Sequence, residues 1–187
     1  MYEIINTVEN RTDEELMELV AKGDEEAFGV IVKKYLPVAI SYTTKFFGAK
    51  FNEDEIIQDT FVKMWKYATK WNASKGKVKT WFYSILSSTC CTYAKKHRRH
   101  FVCEEMRNLS DDNCNVESML MQKQERAFVR EKISNLNERE QQVIMLTYFE
   151  GHSNQHTAEI MGITVSAVET LLVRTRKKLR KSCEEGK

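Results

Sequence analysis

Apolar residues recur at intervals of three and four along most of the chain, the spacing that places them on one face of a helix. Similar segments lie near residues 54–65, 119–135 and 138–150, and another begins at about residue 78. The longest pattern predicts a helix that is buried along one face and kinked at Pro37. Its apolar positions are Phe28, Ile31, Tyr35, Ala39, Tyr42 and Phe46. With seven Gly and one Pro among 187 residues, the chain has few of the turn residues that separate strands, so we predict an all-α fold.

Several polar residues are placed to start these helices. Thr12 with Glu15, and Asn137 with Glu140, have the spacing of a capping box, in which the two side chains satisfy free amides reciprocally. Residues 52–55 carry an Asn and three acids, which is also typical of a helix start. The sequence therefore predicts where three of the helices begin.

The strongest local signal lies near the C-terminus. Ser153 is positioned to cap a short helix that ends at Met161, Gly162 to make the turn, and Thr164 to cap a final helix. Four apolar residues are spaced to pack these two helices together: Ala158, Ile163, Val168 and Leu171. The pattern is typical of a helix-turn-helix, although an ordinary helical hairpin carries the same signals.

The helical segments fall into two blocks. Residues 104–118 between them contain five acids, one Arg and several Asn and Ser, with little periodicity. This composition is typical of a flexible linker. We therefore predict two small helical domains, at residues 1–102 and 119–187, joined by a linker at residues 103–118.

Charge is segregated along the chain, although the formal net charge is only +2. Acids dominate residues 13–26, which are not expected to touch DNA. Two basic runs, at residues 95–100 and 174–181, each close an amphipathic helix. Both are candidate phosphate contacts, with a solvated helix face as the alternative for each.

The cysteines, histidines and possible catalytic residues of the sequence exclude several classes of function. The five Cys are irregularly spaced without a CxxC pair, and His152 and His156 have no Glu or Cys placed beside them to complete a metal site. We therefore expect no disulfide framework, no metal and no cofactor. Without a nucleophile–base pair or a phosphate loop, no enzymatic activity is expected. No apolar run approaches the ~20 residues that cross a bilayer, so the protein is expected to be cytoplasmic and independent of membranes.

Two parts of the chain resemble a known family. Residues 54–65 resemble the polymerase-binding helix of sigma domain two, where an acidic, apolar, Gln and acidic pattern precedes Phe and Trp. Residues 81–85, followed by Tyr93 and a basic run, are similar to the adjacent promoter-melting helix. Four further segments resemble sigma domain four: residues 136–140, 143–146, 148–151 and 158–163.

The resemblance covers roughly residues 13–100 and 119–181, and the chain is identified as a member of the sigma-70 family of RNA polymerase sigma factors. The segment between the two parts is too short for a sigma domain three, which indicates the extracytoplasmic-function group. The resemblance implies sigma domain two at residues 1–102 and a helix-turn-helix sigma domain four at residues 119–187. It further implies a non-enzymatic subunit that binds core RNA polymerase and directs it to promoter DNA.

The resemblance also implies roles for individual residues. The polymerase-binding residues would be Asp54, Glu55, Gln58, Asp59, Phe61, Val62 and Trp65. Contacts to the minus-ten element would come from Lys75, Lys77, Lys79, Tyr83, Ser84, Ser87, Ser88, Lys95, Lys96, Arg98 and Arg99. Contacts to the minus-thirty-five element would come from Thr164, Ser166, Ala167, Glu169, Thr170, Arg174, Lys177, Lys178 and Lys181. Trp81, Phe82 and Ile85 are expected in the core, so Tyr83 and Lys79 are the better DNA candidates.

The sequence departs from the family pattern at two places. Ser87-Ser88 and Thr92 stand where the promoter-melting helix commonly reads Arg-Asn and a later Asp, and Glu169 stands where Lys or Arg is common. Shorter side chains reach less far, and a carboxylate repels phosphate. A sigma factor with weak promoter readout, recruited by a DNA-targeting partner, is therefore an alternative, and an anti-sigma factor is another candidate partner.

Two other function classes stay open. One is a helix-turn-helix regulator that acts without polymerase, and the other is a helical module for protein interaction. The pattern at residues 54–65 argues against the first.

Overall fold

The computed structural model describes residues 10–48, 52–107 and 128–184, apart from the side chains of residue 75 and of residues 97–107. Within these ranges the chain forms α-helices and short helical turns, with no strand. The all-α prediction is confirmed. The predictions for residues 108–127 lie outside the described residues.

The N-terminal domain consists of helices α1 (Asp13–Val20), α2 (Glu25–Phe47), α3 (Asp54–Lys66) and α4 (Val78–Arg107). Two short 3₁₀ turns, Ala68–Lys70 and Ala73–Lys75, connect α3 to α4. Helix α2 continues without interruption through Pro37, which lies on its exposed side.

Polar side chains at or just before the starts of α1, α2 and α3 accept hydrogen bonds from first-turn amides. Thr12 Oγ1 accepts from the Glu15 amide at 3.2 Å, and Glu15 Oε2 accepts from the Thr12 amide at 2.8 Å, which completes the predicted capping box. Asp24 caps α2 by accepting from the Ala27 amide at 2.9 Å. Asn52 Oδ1 accepts from the Asp54 amide at 3.1 Å at the start of α3.

A single apolar core joins these four helices. Helix α2 contributes Tyr35 and Tyr42, and α4 contributes Phe82, with the Tyr35 and Phe82 ring centroids 4.7 Å apart. Met17 of α1 and Met64 of α3 are also fully buried. The core side of α2 therefore matches the apolar spacing predicted from its sequence.

The C-terminal domain begins in the described residues with a helical stretch, α5, at residues 128–134. Helix α6 (Glu138–Ile144) continues into a π-helical turn at Met145–Phe149. Helices α7 (Asn154–Met161) and α8 (Val165–Glu184) follow. Their second core contains Ile133, Leu136, Val143, Ile144, Ala158, Val168 and Leu172.

The predicted turn between α7 and α8 is confirmed. Ser153 Oγ accepts from the His156 amide at 3.2 Å, and Thr164 Oγ1 accepts from the Ala167 amide at 3.2 Å. Between the two helices Gly162 adopts φ 63° and ψ 36°, the left-handed conformation that favours glycine. Ala158 and Val168 are buried between the helices, with Ile163 and Leu171 packed against the same core.

Replacing Gly162 with Ala is expected to lower the free energy of unfolding by about 1–2 kcal/mol, because an L side chain is strained in the left-handed region. No heavy atom lies within 4 Å of an added Cβ, so the cost comes from the backbone alone. Gly29→Ala is the matched control: this glycine is exposed within α2, and the change should stabilise by about 0.5–1 kcal/mol. Urea unfolding of the full chain measures both. A Gly162→Ala variant as stable as wild type would contradict the assignment.

The two domains pack against each other along α4. Met145, Leu146 and Ile160 of the C-terminal domain join the apolar core of the N-terminal domain. Cys91 Sγ donates to the Glu138 carbonyl oxygen at 3.6 Å. This packing was not predicted from the sequence.

Helix α4 also extends further than predicted. It continues to Arg107, so residues 103–107, which were assigned to the linker, are helical. The reason is local: these positions contain good helix formers such as Glu104, Glu105 and Met106 and no Gly or Pro.

Candidate polymerase and nucleic-acid interfaces

The predicted polymerase-binding residues lie on α3, and most of them share its exposed side. The exposed members are Asp54, Glu55, Gln58, Asp59, Val62 and Trp65, and we call this set the α3 surface. Val62 is 61% exposed and Trp65 is 36% exposed, so two large apolar side chains reach solvent beside the polar ones. Asp59 Oδ2 pairs with Lys63 Nζ at 2.7 Å. The α3 surface therefore combines acids, an amide and two apolar side chains.

Phe61 departs from the predicted contact surface. It is only 7% exposed, and its ring centroid lies 6.0 Å from that of Phe82 and 6.5 Å from that of Phe28. Phe61 faces α2 and α4, and Trp65, one turn further along the same side of α3, lies at the edge of the core with its ring 5.0 Å from Phe28. Phe61 therefore supports the helix from below instead of offering its ring at the surface.

The predicted minus-ten residues divide into exposed and buried groups along α4 and the loop before it. The exposed members are Lys77, Lys79, Ser88, Lys95 and Lys96, and Ser84 is half-buried. Lys95 Nζ reaches Glu138 Oε1 of the other domain at 3.2 Å. The side chains of Lys75, Arg98 and Arg99 lie outside the described residues.

Tyr83 and Ser87 are buried, contrary to their predicted exposure to DNA. Tyr83 is 4% exposed, its hydroxyl donates to Glu150 Oε2 at 3.0 Å, and its ring meets His152 edge-on at 4.7 Å. Burial and the Glu150 carboxylate both raise the pKa of Tyr83. Ser87 donates to the Ser84 carbonyl oxygen at 3.4 Å. Glu150 and His152 of the C-terminal domain cover Tyr83, and neither Tyr83 nor Ser87 is open to a nucleic acid in this arrangement.

The prediction that the aromatic and aliphatic neighbours of Tyr83 lie in the core is confirmed. Phe82 is fully buried, and Trp81 and Ile85 are partly buried against the same cluster. Aromatic residues at helical spacing on this part of α4 therefore form the core and are not a stacking platform.

The N-terminal half of α8 carries an open polar surface. Its exposed members are Thr164, Ser166, Ala167, Glu169 and Thr170, and we call this set the α8 surface. Four of these residues, together with Leu171 and Arg174, line a shallow groove. Helix-turn-helix proteins present base-reading side chains from this part of the second helix.

The basic residues further along α8 are held partly within the domain. The buried carboxylate of Glu140 accepts from Lys178 Nζ at 2.9 and 3.0 Å and from Arg174 Nη2 at 3.2 Å. Arg174 and Lys178 were predicted as phosphate contacts, and their side chains stay 63% and 54% exposed. Lys177 and Lys181 are also exposed. A phosphate would therefore compete with Glu140 for two of the four predicted cations.

Glu140 has a second structural role that was not predicted from the sequence. It completes the capping box with Asn137 at 3.0 and 3.1 Å, as predicted, but it also joins α6 to α8. Burial acts to raise the pKa of Glu140, but the hydrogen bonds from Lys178, Asn137 and Arg174 outweigh it and lower the pKa below its usual value. The available signal was the four-residue spacing of Arg174 and Lys178, which places two cations on one helix face.

No group of His, Cys, Asp or Glu suited to hold a metal occurs among the described residues. In the same ranges, no helix is both long enough and apolar enough to span a bilayer. The features that remain are a helix-turn-helix with an open reading surface and a second helical domain with a mixed apolar and acidic face. These define a two-domain helical protein of the DNA-binding class.

Comparison with known families identifies the class more closely. The model described as Sigma-70 region 2 matches residues 31–100, and the model described as Sigma-70, region 4 matches residues 129–179. The chain belongs to the sigma-70 family of RNA polymerase sigma factors, in its extracytoplasmic-function group. It is a sigma factor that directs transcription initiation, with core RNA polymerase and promoter DNA as its partners.

Individual relatives agree with this assignment over nearly the whole chain. RNA polymerase sigma factor NccH of Alcaligenes xylosoxydans xylosoxydans is 28% identical over 173 residues, covering 89% of this chain and 92% of that protein. An ECF RNA polymerase sigma-E factor of Haemophilus influenzae is 28% identical over 179 residues, covering 90% and 93%. The solved structure of CnrH in complex with the cytosolic domain of CnrY is 23% identical with a TM-score of 0.59, covering 94% and 99%. This last likeness supports the fold.

Proposed function

We propose that the α3 surface is the main contact of this sigma factor with core RNA polymerase. The observation that carries the proposal is the exposure of Val62 and Trp65 beside Gln58 and Asp59. Protein interfaces combine an apolar centre with a polar rim, and exposed apolar side chains ringed by polar ones indicate such contacts. Phe61 keeps the helix in place from the core side.

The test is binding of core polymerase by a Gln58→Ala/Asp59→Ala variant. Losing two polar contacts at the rim of the interface should weaken binding about tenfold, which corresponds to about 1.4 kcal/mol. Because both side chains are exposed, helical content measured by circular dichroism should not change.

Gln155→Ala/Glu159→Ala is the matched control. It removes one amide and one carboxylate from exposed positions on α7, where Gln155 Nε2 and Glu159 Oε1 pair at 3.2 Å. Equal binding of polymerase by wild type and the α3 variant, or an equal loss in the control, would exclude the α3 surface as the contact.

Promoter recognition is divided between the domains in this proposal. The α8 surface would read the minus-thirty-five element, with Lys177 and Lys181 on phosphates and Arg174 and Lys178 shared with Glu140. The exposed lysines of α4 and its preceding loop would bind the minus-ten region. Tyr83 could join them only after the C-terminal domain moves away from α4. We retain residues 1–102, 103–118 and 119–187 as the proposed functional division.

The catalysis of RNA synthesis belongs to the polymerase in this scheme, and the sigma factor supplies recognition. A protein that works with polymerase on promoter DNA would act in the cytoplasm. CnrH forms a complex with the cytosolic domain of CnrY. We extend this to the present chain and propose that an anti-sigma factor also binds it.

A second candidate function is a sigma factor with weak promoter readout that a DNA-bound partner recruits. The observation that favours it is Glu169, whose carboxylate lies exposed in the middle of the α8 surface. A negative charge at this place repels phosphates. Tyr83 and Ser87 are also buried, so two further residues predicted to contact DNA are not accessible to it in this structure.

A further inference from the structure

His152 lies at the contact between the two domains. Its ring meets the Tyr83 ring of α4 edge-on, with centroids 4.7 Å apart, and stacks on the His156 ring of α7 at 4.6 Å. His152 Nε2 is buried and has no hydrogen-bond partner among the described residues. Since native proteins pair most buried polar atoms, this unpaired nitrogen calls for an explanation.

Polar contacts between the domains surround this ring. Glu150 Oε1 accepts from Lys45 Nζ of α2 at 2.8 Å, and Glu150 Oε2 accepts from the Tyr83 hydroxyl. Thr80 Oγ1 lies 3.5 Å from His156 Nε2. The titratable or charged groups that act on His152 come from α2, α4, α7 and the loop before α7: Lys45, Lys79, Tyr83, His156 and Glu150.

These surroundings favour the neutral imidazole. Burial lowers the pKa of His152 most, and His156 lowers it next; Glu150 opposes them, and the smaller effects of Lys79 and Lys45 lower it further. A protonated ring carries an N–H donor on both nitrogens, and the described residues offer no acceptor at Nε2. The contact can therefore hold a neutral His152 and penalises a charged one.

We propose that His152 makes the packing of the two domains sensitive to protons. With the ring neutral, the C-terminal domain rests on α4 and covers Tyr83. When the ring is protonated, the C-terminal domain separates from α4 and Tyr83 becomes accessible. The proposal rests on the contact between the domains and not on the polymerase-binding role of α3.

The direction of the pH dependence follows from linkage. The pKa of His152 is lower in the packed arrangement than in the separated one, where it approaches the ordinary value of about 6.5. The separated arrangement therefore binds more protons. Above this pH the packed arrangement has its full stability. As the pH falls below it, the equilibrium constant for packing decreases by up to about tenfold for each pH unit.

Small-angle X-ray scattering of the full chain tests the proposal through the radius of gyration at pH 7.5 and 5.5. Side-chain carboxylates with ordinary pKa values stay mainly ionised across this window, so histidines dominate the titration. The wild-type chain should expand at pH 5.5. A His152→Phe variant should stay compact, because phenylalanine keeps the edge-on contact with Tyr83 and has no nitrogen to protonate.

Two further variants complete the design. His152→Gln is also neutral at every pH, and it replaces His152→Phe if the phenylalanine variant loses helical content. His97→Gln/His100→Gln is the control for the two histidines of the basic run at residues 95–100 and should expand as wild type does. The proposal is overturned if the wild-type chain keeps its radius of gyration, if the neutral His152 variants expand with it, or if the control abolishes the expansion.

Discussion

Replacing Glu140 with Ala is expected to lower the free energy of unfolding by about 3 kcal/mol, because hydrogen bonds to charged groups contribute about 1.5–3 kcal/mol and a helix cap about 1 kcal/mol. The variant loses the contacts from Lys178 and Arg174 as well as the return bond to the Asn137 amide. Both cations are more than half exposed and regain water, which keeps the cost below the sum of the separate contributions. Urea unfolding of the full chain measures the change.

Glu140→Gln separates the two roles of this residue. Glutamine can complete the capping box but carries no charge for Lys178 and Arg174, so its cost should be about half that of alanine. Because the pKa of Glu140 is lowered in the folded chain, its charged contacts stabilise above the unfolded value of about 4.3 and are lost as the pH falls through the folded value. The stability difference between wild type and Glu140→Gln should therefore shrink in acid. A constant difference from pH 7 to pH 3 would contradict the ionic role.

The features that the sequence predicted correctly depend on neighbours a few positions apart. The capping boxes at Thr12 and Asn137 each involve a glutamate three residues away. The turn at Gly162 depends on the conformational freedom of one residue. Apolar spacing predicted which side of α2 faces the core. Such signals are complete within a short window, so an isolated sequence is enough to locate them.

The features that were missed involve contacts between distant positions. Lys178 and Glu140 are 38 residues apart, and Lys45 and Glu150 are 105 residues apart. Tyr83 is a residue type suited to a DNA contact, and only the packing of the C-terminal domain on α4 shows that it is buried. Phe61 was predicted as a polymerase contact from a family pattern, which records residue type without side-chain direction, and the structure shows that its side chain is buried. Long-range packing therefore decides which candidates are accessible.

Replacing Glu169 with Lys is expected to raise the affinity of the polymerase complex for promoter DNA roughly ten- to a hundredfold at low salt, because the change removes a repulsive charge and adds a phosphate-binding one. The slope of log affinity against log salt should become steeper by about one unit. Glu18→Lys is the matched control: Glu18 is also exposed, on α1, and the variant has the same net charge. An equal gain in the control would assign the effect to net charge and not to the α8 surface.

Sequence discrimination shows whether Glu169 has a reading role of its own. A carboxylate on the reading helix can accept from the amino group of cytosine, a contact that contributes about 1–3 kcal/mol of discrimination. If Glu169 makes it, the Lys variant binds more tightly but distinguishes promoters less well. Transcription from genomic fragments with polymerase and the wild-type sigma factor alone, followed by mapping of start sites, compares the two candidate functions. Diffuse initiation that cell extract sharpens would support recruitment by a partner. Strong initiation at one defined two-element motif would exclude weak readout, since the α8 surface and α4 would then recognise promoters without help.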